Sequence, residues 1–296
     1  MKILFFVFAV LFSMHSFSQR KKESRKVSNG KGTLFTSWGY HRSAYTNTDL
    51  HLIGNGYNFT IENSEGNDNQ SKLGSGDYGI QSLSIPQYNF KVGYYFMKKW
   101  SISLGVDHMK YIYGDRNEVK VTGNVTYPIQ DVYLGTSTPF TNVYLYSQDA
   151  TTDRSVFHYQ NSKGLNYINA ELAFAQKLHV FDNRGNFILT STGGVGVGVL
   201  QSHTTLLFNN VQGPTTQSIS GYGLSAFGGL RLEFFKRAYL YSDLSFGFLH
   251  KVNEKSNALD RSAYVRHHMG YSMFEAGLGI LLYKRVKNGC DDCPVW

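Results

Sequence analysis

The 296-residue sequence predicts an all-β fold, an antiparallel up-and-down transmembrane β-barrel of about eight strands with long extracellular loops. Three observations carry this expectation. Segments of about ten residues alternate strictly between apolar and polar side chains. Very short turns alternate with long polar connections. No stretch is apolar enough for a membrane-spanning helix, which needs ~20 residues. The composition agrees, with 21 tyrosines, 21 phenylalanines, 30 glycines and only 5 prolines favouring strands.

Residues 1–18 read as a secretory signal. Lys2 supplies the positive start, 3–12 form an apolar run too short to span a bilayer, and Ser16 and Ser18 place cleavage before Gln19. A retained N-terminal anchor is the rival reading. The cleaved chain is expected to leave the cytoplasm by Sec-type export. Residues 19–31 form a flexible basic lead, 32–284 the barrel, and 285–296 a periplasmic tail.

The first strand is expected at 32–42, with Leu34, Trp38 and Tyr40 on one face. Residues 43–85 and 113–164 read as long polar loops, within the first of which 57–61 can extend. The clearest pattern lies at 86–112. Tyr88, Phe90, Val92, Tyr94 and Phe96 oppose Asn89, Lys91, Gly93 and Tyr95. After the turn Lys98-Lys99, Trp100, Ile102, Leu104 and Val106 oppose Ser101, Ser103, Gly105 and Asp107. Strand-like pieces follow at 118–125 and 142–146. At 165–177, Ile168, Ala170, Leu172 and Phe174 oppose Asn169, Glu171, Ala173 and Ala175. Residues 186–200, 221–234, 238–249 and 271–283 repeat the alternation, joined by turns at 181–185 and 235–237 and by polar loops at 201–220 and 250–270.

Alternation alone leaves the orientation open, because a soluble secreted β-protein turns its apolar face inward. Two features favour lipid. The polar faces carry glycines, small hydroxyls and the charges Lys91, Asp107, Glu171, Arg231, Glu233, Asp243 and Glu275, which suit the narrow interior of about eight strands. Lys91 with Asp107, and Arg231 with Glu233 or another of these acids, are expected to pair there, since unpaired charges would be costly. Aromatics also gather near strand ends, with Trp100, Phe187, Phe234, Phe235, Tyr239 and Tyr283 at the turns and Tyr40, Tyr111, Tyr222, Phe248 and Tyr271 at the loops, as interfacial girdles do.

The formal net charge is +8. No basic repeat suggests nucleic acid, and export argues against that partner. A basic outer rim of His41, Arg42, Lys110, Arg116 and Arg266 could instead meet lipopolysaccharide phosphates. Outer-membrane lipid is the expected surrounding. Cys290 and Cys293 most simply form a local disulfide in an exported chain, with free thiols, metal binding and redox function as alternatives. No cofactor or metal is expected: His267 and His268 point apart on a strand, and Glu62, Glu65 and Asp68 lack calcium-loop spacing.

The segments Trp38-Gly-Tyr-His-Arg-Ser-Ala-Tyr45, Ile85-Pro-Gln-Tyr-Asn89, Val106-Asp-His-Met-Lys-Tyr111 and Gly164-Leu-Asn-Tyr-Ile-Asn169 resemble an uncharacterised family of small outer-membrane barrels of Gram-negative, Bacteroidota-type bacteria. The resemblance implies fold and location and carries no activity. Residues 157–165 resemble the His-x-Ser-Asn motif of lipid A deacylase barrels. This implies His158 as base, Ser162 as nucleophile and Glu171 as orienting acid. Gln160 stands where the motif has serine, and Glu171 has the opposite strand parity to His158. The expected role is therefore non-catalytic, structural, adhesive or ligand-binding at the cell surface. A lipid A acyl hydrolase is the runner-up.

Overall fold

A computed structural model describes residues 29–68, 86–114, 119–125, 140–145, 157–161, 163–183, 185–208, 211–235 and 237–282. The signal segment, nearly all of the basic lead, Arg116, Ser162, Tyr283 and the Cys290–Cys293 pair lie outside the described residues. In chain order the strands are β1 (Leu34–Tyr45), β2 (Thr48–Gly54), β3 (Tyr57–Ser64), β4 (Gly66–Asn67), β5 (Tyr88–Met97), β6 (Trp100–Met109), β7 (Ile112–Tyr113) and β8 (Val119–Val125). They continue as β9 (Phe140–Leu145), β10 (Phe157–Gln160), β11 (Leu165–Val180), β12 (Phe187–Phe208), β13 (Val211–Gln212), β14 (Thr216–Phe234), β15 (Ala238–Lys255) and β16 (Tyr264–Leu282).

Eight of these close a ring. β1 pairs with β5, β5 with β6, β6 with β11, β11 with β12, β12 with β14, β14 with β15, β15 with β16, and β16 returns to β1, always antiparallel. Closure satisfies every wall strand on both edges, which is what lets a sheet stand in a medium without hydrogen-bonding solvent. The connections at one end are tight. Lys99 and Phe235 take positive φ there, at 70° and 49°, to reverse the chain within a few residues.

The alternation resolves as lipid-type packing. Leu104, Val195 and Leu278 are 69%, 58% and 59% exposed, while the inward-facing Ser103, Glu171 and Glu275 are 4%, 5% and 1% exposed. The apolar rows thus point away from the protein all round the ring, opposite to the packing of a soluble sandwich. Inward glycines make room for aromatic rings that lie across the neighbouring strand. A Cβ on Gly279 would stand 2.1 Å from Cζ of Tyr239, and one on Gly93 would stand 2.1 Å from Cζ of Phe35.

Four wall strands run further at the loop end than the periodicity predicts. β12 has 22 residues, β14 and β16 have 19 each and β15 has 18, against the 9–11 that a bilayer requires. These extensions carry two arms of extra strands. One runs β16–β2–β3–β8–β9, the other β12–β10–β7–β4. The stretches 43–85 and 250–270, expected as loops, therefore contain β2 and the outer ends of β15 and β16.

Between the arms lies an apolar core. Leu50, Leu52, Phe59 and Ile61 from one arm meet Tyr113, Phe157, Tyr159, Leu206 and Phe208 from the other, above Leu165, Tyr167, Leu200, Leu249, Met269 and Tyr271 of the barrel mouth. Polar loops are expected here; the strand arms supply an apolar core instead. Three residues also move out of the expected girdles. Tyr111 and Tyr271 belong to the core of the mouth, and Tyr239 lies inside the barrel near the turns. Tyr111 and Tyr271 turn inward because the outer arms cover the mouth, so their rings find a dry interior rather than the membrane interface.

Candidate functional site: the filled lumen and the cap

The lumen is filled in layers. Nearest the turns, Phe35, Tyr239, Tyr241 and Leu281 pack together. Arg231 lies beside them, its guanidinium 5.0 Å from the Tyr239 ring, donating from Nη2 to Glu233 at 2.7 Å and from Nη1 to the Tyr95 hydroxyl at 3.1 Å. Thr190 donates to the same Glu233 oxygen at 3.0 Å.

At mid-barrel, Lys91 is held by Glu171 at 3.0 Å and Glu275 at 3.7 Å. The expected Lys91–Asp107 ion pair does not form. Asp107 instead accepts from Asn169 at 2.8 Å. Carboxylates outnumber cations among the seven luminal charges, so neutral donors complete the network. Ser103 donates to Glu171 at 3.2 Å, Ser245 to Glu275 at 2.9 Å, and Thr192 to Asp243 at 3.4 Å. Asn89 donates to Glu275 and accepts from Tyr241 at 3.0 Å. The aromatic layer near the turns and the charged layer at mid-barrel place buried side chains across the tube.

Above the lipid-facing band, in the cap formed by the two arms, sits a second buried polar cluster, of which the sequence marked only His267. Lys251 reaches Glu254 at 3.0 Å, the Tyr159 hydroxyl at 3.0 Å and Asn161 Oδ1 at 2.5 Å. Tyr159 donates to Glu254 at 2.7 Å, Asn161 donates to Glu254 at 2.6 Å, and Thr204 also donates to it. His267 Nε2 lies 3.2 Å from the Tyr159 hydroxyl and 4.0 Å from Glu254. Burial pulls the Lys251 ammonium below its ordinary value, against the opposing pull of Glu254. Burial, with the Lys251 charge behind it, holds His267 well below the usual imidazole range. Burial drives Tyr159 well above the usual phenol range, with Glu254 adding to it. Lys251 and Glu254 gave no signal because 250–270 read as polar loop; the Tyr159 and Asn161 side chains cover them across the cap.

The deacylase residues are not brought together. His158 pairs in register with Leu207 on the outermost part of β12, whereas Glu171 pairs with Gly196 in mid-barrel. Eleven strand positions separate these partners, roughly 36 Å of β-strand. Glu171 is moreover bound to Lys91.

The expected rim also divides. His41 and Lys110 are buried rather than exposed. Strand parity turns His41 into the lumen, and the polar segment near Lys110 is covered by the cap. Arg42 faces outward and donates to Gln87 at 3.0 Å. Arg266 is exposed, donating from Nε to the Val252 carbonyl at 3.0 Å and lying 4.7 Å over the Tyr264 ring. Asp68 leaves the solvent and docks on the mouth, accepting from Ser43 N at 3.2 Å and from Gln87. Among the described residues, no group of three His, Cys, Asp or Glu side chains is arranged to hold a metal ion.

The ring of eight paired strands, its outward apolar band and its charge-filled lumen define a small transmembrane β-barrel. No protein-family model and no curated protein matches the chain. Among solved structures it is similar to the outer-membrane protein OprG of Pseudomonas aeruginosa, at 9% identity and a TM-score of 0.36 over 88% of this chain and 100% of that one. It is also similar to Neisserial surface protein A, at 9% identity and 0.34 over 84% and 99%. A third is the Yersinia pestis attachment invasion locus protein Ail, solved with the heparin analogue sucrose octasulfate, at 9% identity and 0.31 over 85% and 99%.

Proposed function

We propose that this chain resides in a Gram-negative outer membrane, non-catalytic, with its extracellular cap as an adhesive or ligand-binding working surface. The packed core of the cap carries this reading. Two strand arms fold over the mouth and bury Leu50, Leu52, Ile61, Tyr111, Tyr159 and Val265 at essentially zero exposure. A barrel used as a pore keeps its mouth open; here the outer strands make a folded surface and the lumen is filled with ion pairs. The separation of His158 from Glu171 speaks against the hydrolase. Arg42 and Arg266 remain as outward partners for lipopolysaccharide phosphates.

The test uses the full chain in planar bilayers and with lipopolysaccharide. The proposal expects a membrane-bound, heat-modifiable barrel with no steady conductance and lipid A of unchanged acyl content. Open-channel currents, or loss of an acyl chain that His158→Ala abolishes, would overturn it.

A further inference from the structure

Four outward positions at the outer edge of the apolar band are histidine or aromatic on adjacent strands: Tyr222 on β14, Phe248 and His250 on β15, and His268 on β16. His250 and His268 are directly opposite in the antiparallel register. Their ring centroids stand 6.1 Å apart with 60° between planes. His268 is exposed and His250 is half-buried.

We propose that His250 and His268 form a two-imidazole site for a divalent transition-metal ion such as zinc, copper(II) or nickel at the outer membrane interface. An ion 2.0–2.1 Å from each imidazole nitrogen holds two ring centroids about 5 Å apart in tetrahedral geometry and about 6 Å apart when the angle opens. The observed spacing needs only a small side-chain rotation to reach that range. Cross-strand placement supplies what adjacent residues cannot. His267 and His268 point to opposite faces, and His267 is buried in the cap, whereas residues paired across two strands share a face.

The surroundings suit the site. The Tyr222 hydroxyl lies 3.2 Å from His250 Nδ1. With Nδ1–H donated to that oxygen, the Nε2 lone pair is left for a ligand, the second-shell arrangement common at metal-bound histidines. Phe248 flanks both rings, 6.3 Å from His250 and 5.8 Å from His268. Two neutral nitrogens select borderline ions over calcium or magnesium, which take oxygen ligands. Water, or phosphate oxygens of the surrounding lipid, complete the coordination. A bound ion would tie β15 to β16 where the wall leaves the membrane and the cap begins.

The test titrates zinc and copper(II) ions into the full chain, purified in detergent, with Cys290→Ser and Cys293→Ser substituted so that the tail thiols do not contribute. Calorimetry is expected to show one site, weakened at least tenfold by His250→Asn with His268→Asn, a change at the barrel exterior checked by heat-modifiable mobility. Copper(II) resonance spectra of the otherwise unaltered chain are expected to show two equivalent nitrogen couplings. Binding that survives the double substitution, no binding, or a spectrum without two nitrogens would overturn the proposal.

Discussion

His267 makes the cap sensitive to acid. It is buried, its neighbours from β15 are Lys251 and Glu254, from β10 Tyr159, and at the mouth Tyr111, whose ring centroid is 5.5 Å away; His250 and His268 add further positive potential when charged. Glu254 is already engaged by Lys251, so a proton on His267 would place a second cation in a dry cluster. The folded cap therefore refuses a proton that the opened cap accepts at the ordinary imidazole value of about 6.5. The sign follows: stability is retained above that value and is lost as pH falls through it. Between pH 7 and pH 5.5 the loss works out at about 1.3 kcal/mol, or roughly eightfold in the open population. Hydrogen exchange of amides in 157–161 and 264–269, corrected for intrinsic rates, measures that population. The opening constant should rise about eightfold in the parent chain and stay within about twofold in His267→Gln. An equal rise in both chains, or none in the parent, would refute the reasoning.

Three further outcomes are expected from urea-dependent folding in liposomes. Lys91→Met leaves Glu171 and Glu275 without their cation and should cost about 3–5 kcal/mol, with Glu171→Gln in the same chain recovering part of it. Gly279→Val drives a side chain into the Tyr239 ring, whose Cζ would stand 2.1 Å from the new Cβ, and should cost about 1–3 kcal/mol. Leu104→Arg, at the middle of the apolar band, should cost about 2–4 kcal/mol, whereas Ile219→Arg, exposed above the band, should cost less than about 1 kcal/mol.

The barrel wall was legible wherever one strand face had to meet lipid and the other a crowded lumen, because these two environments demand opposite side chains. The strands at 88–97 and 100–109 emerge almost at their observed bounds. The extensions were not legible for the same reason. Above the membrane the outward face of β12 carries Gln201 and His203, so alternation between lipid and lumen stops although the strand continues. The arms add a difficulty: β2 and β3 bury Leu50, Leu52, Phe59 and Ile61 against residues about 50 to 160 positions away, and nothing local marks that partner. The luminal charges could be named from parity alone. Their partners could not, since Lys91 chooses Glu171 and Glu275 through the way side chains cross the tube, not through register with Asp107. The motif around His158 gives no guide to its placement, because a local motif carries no information about the roughly 36 Å of strand between the β12 partners of His158 and Glu171.

Lipid contact is tested most directly by nitroxide labels at successive positions in a chain lacking Cys290 and Cys293. Labels at 102, 104, 195 and 197 should be accessible to membrane-dissolved oxygen and shielded from a water-soluble nickel chelate, while those at 103 and 196 should be shielded from both. A uniform response along the strands, or greater oxygen access at 103 and 196, would contradict the placement of the apolar rows against acyl chains.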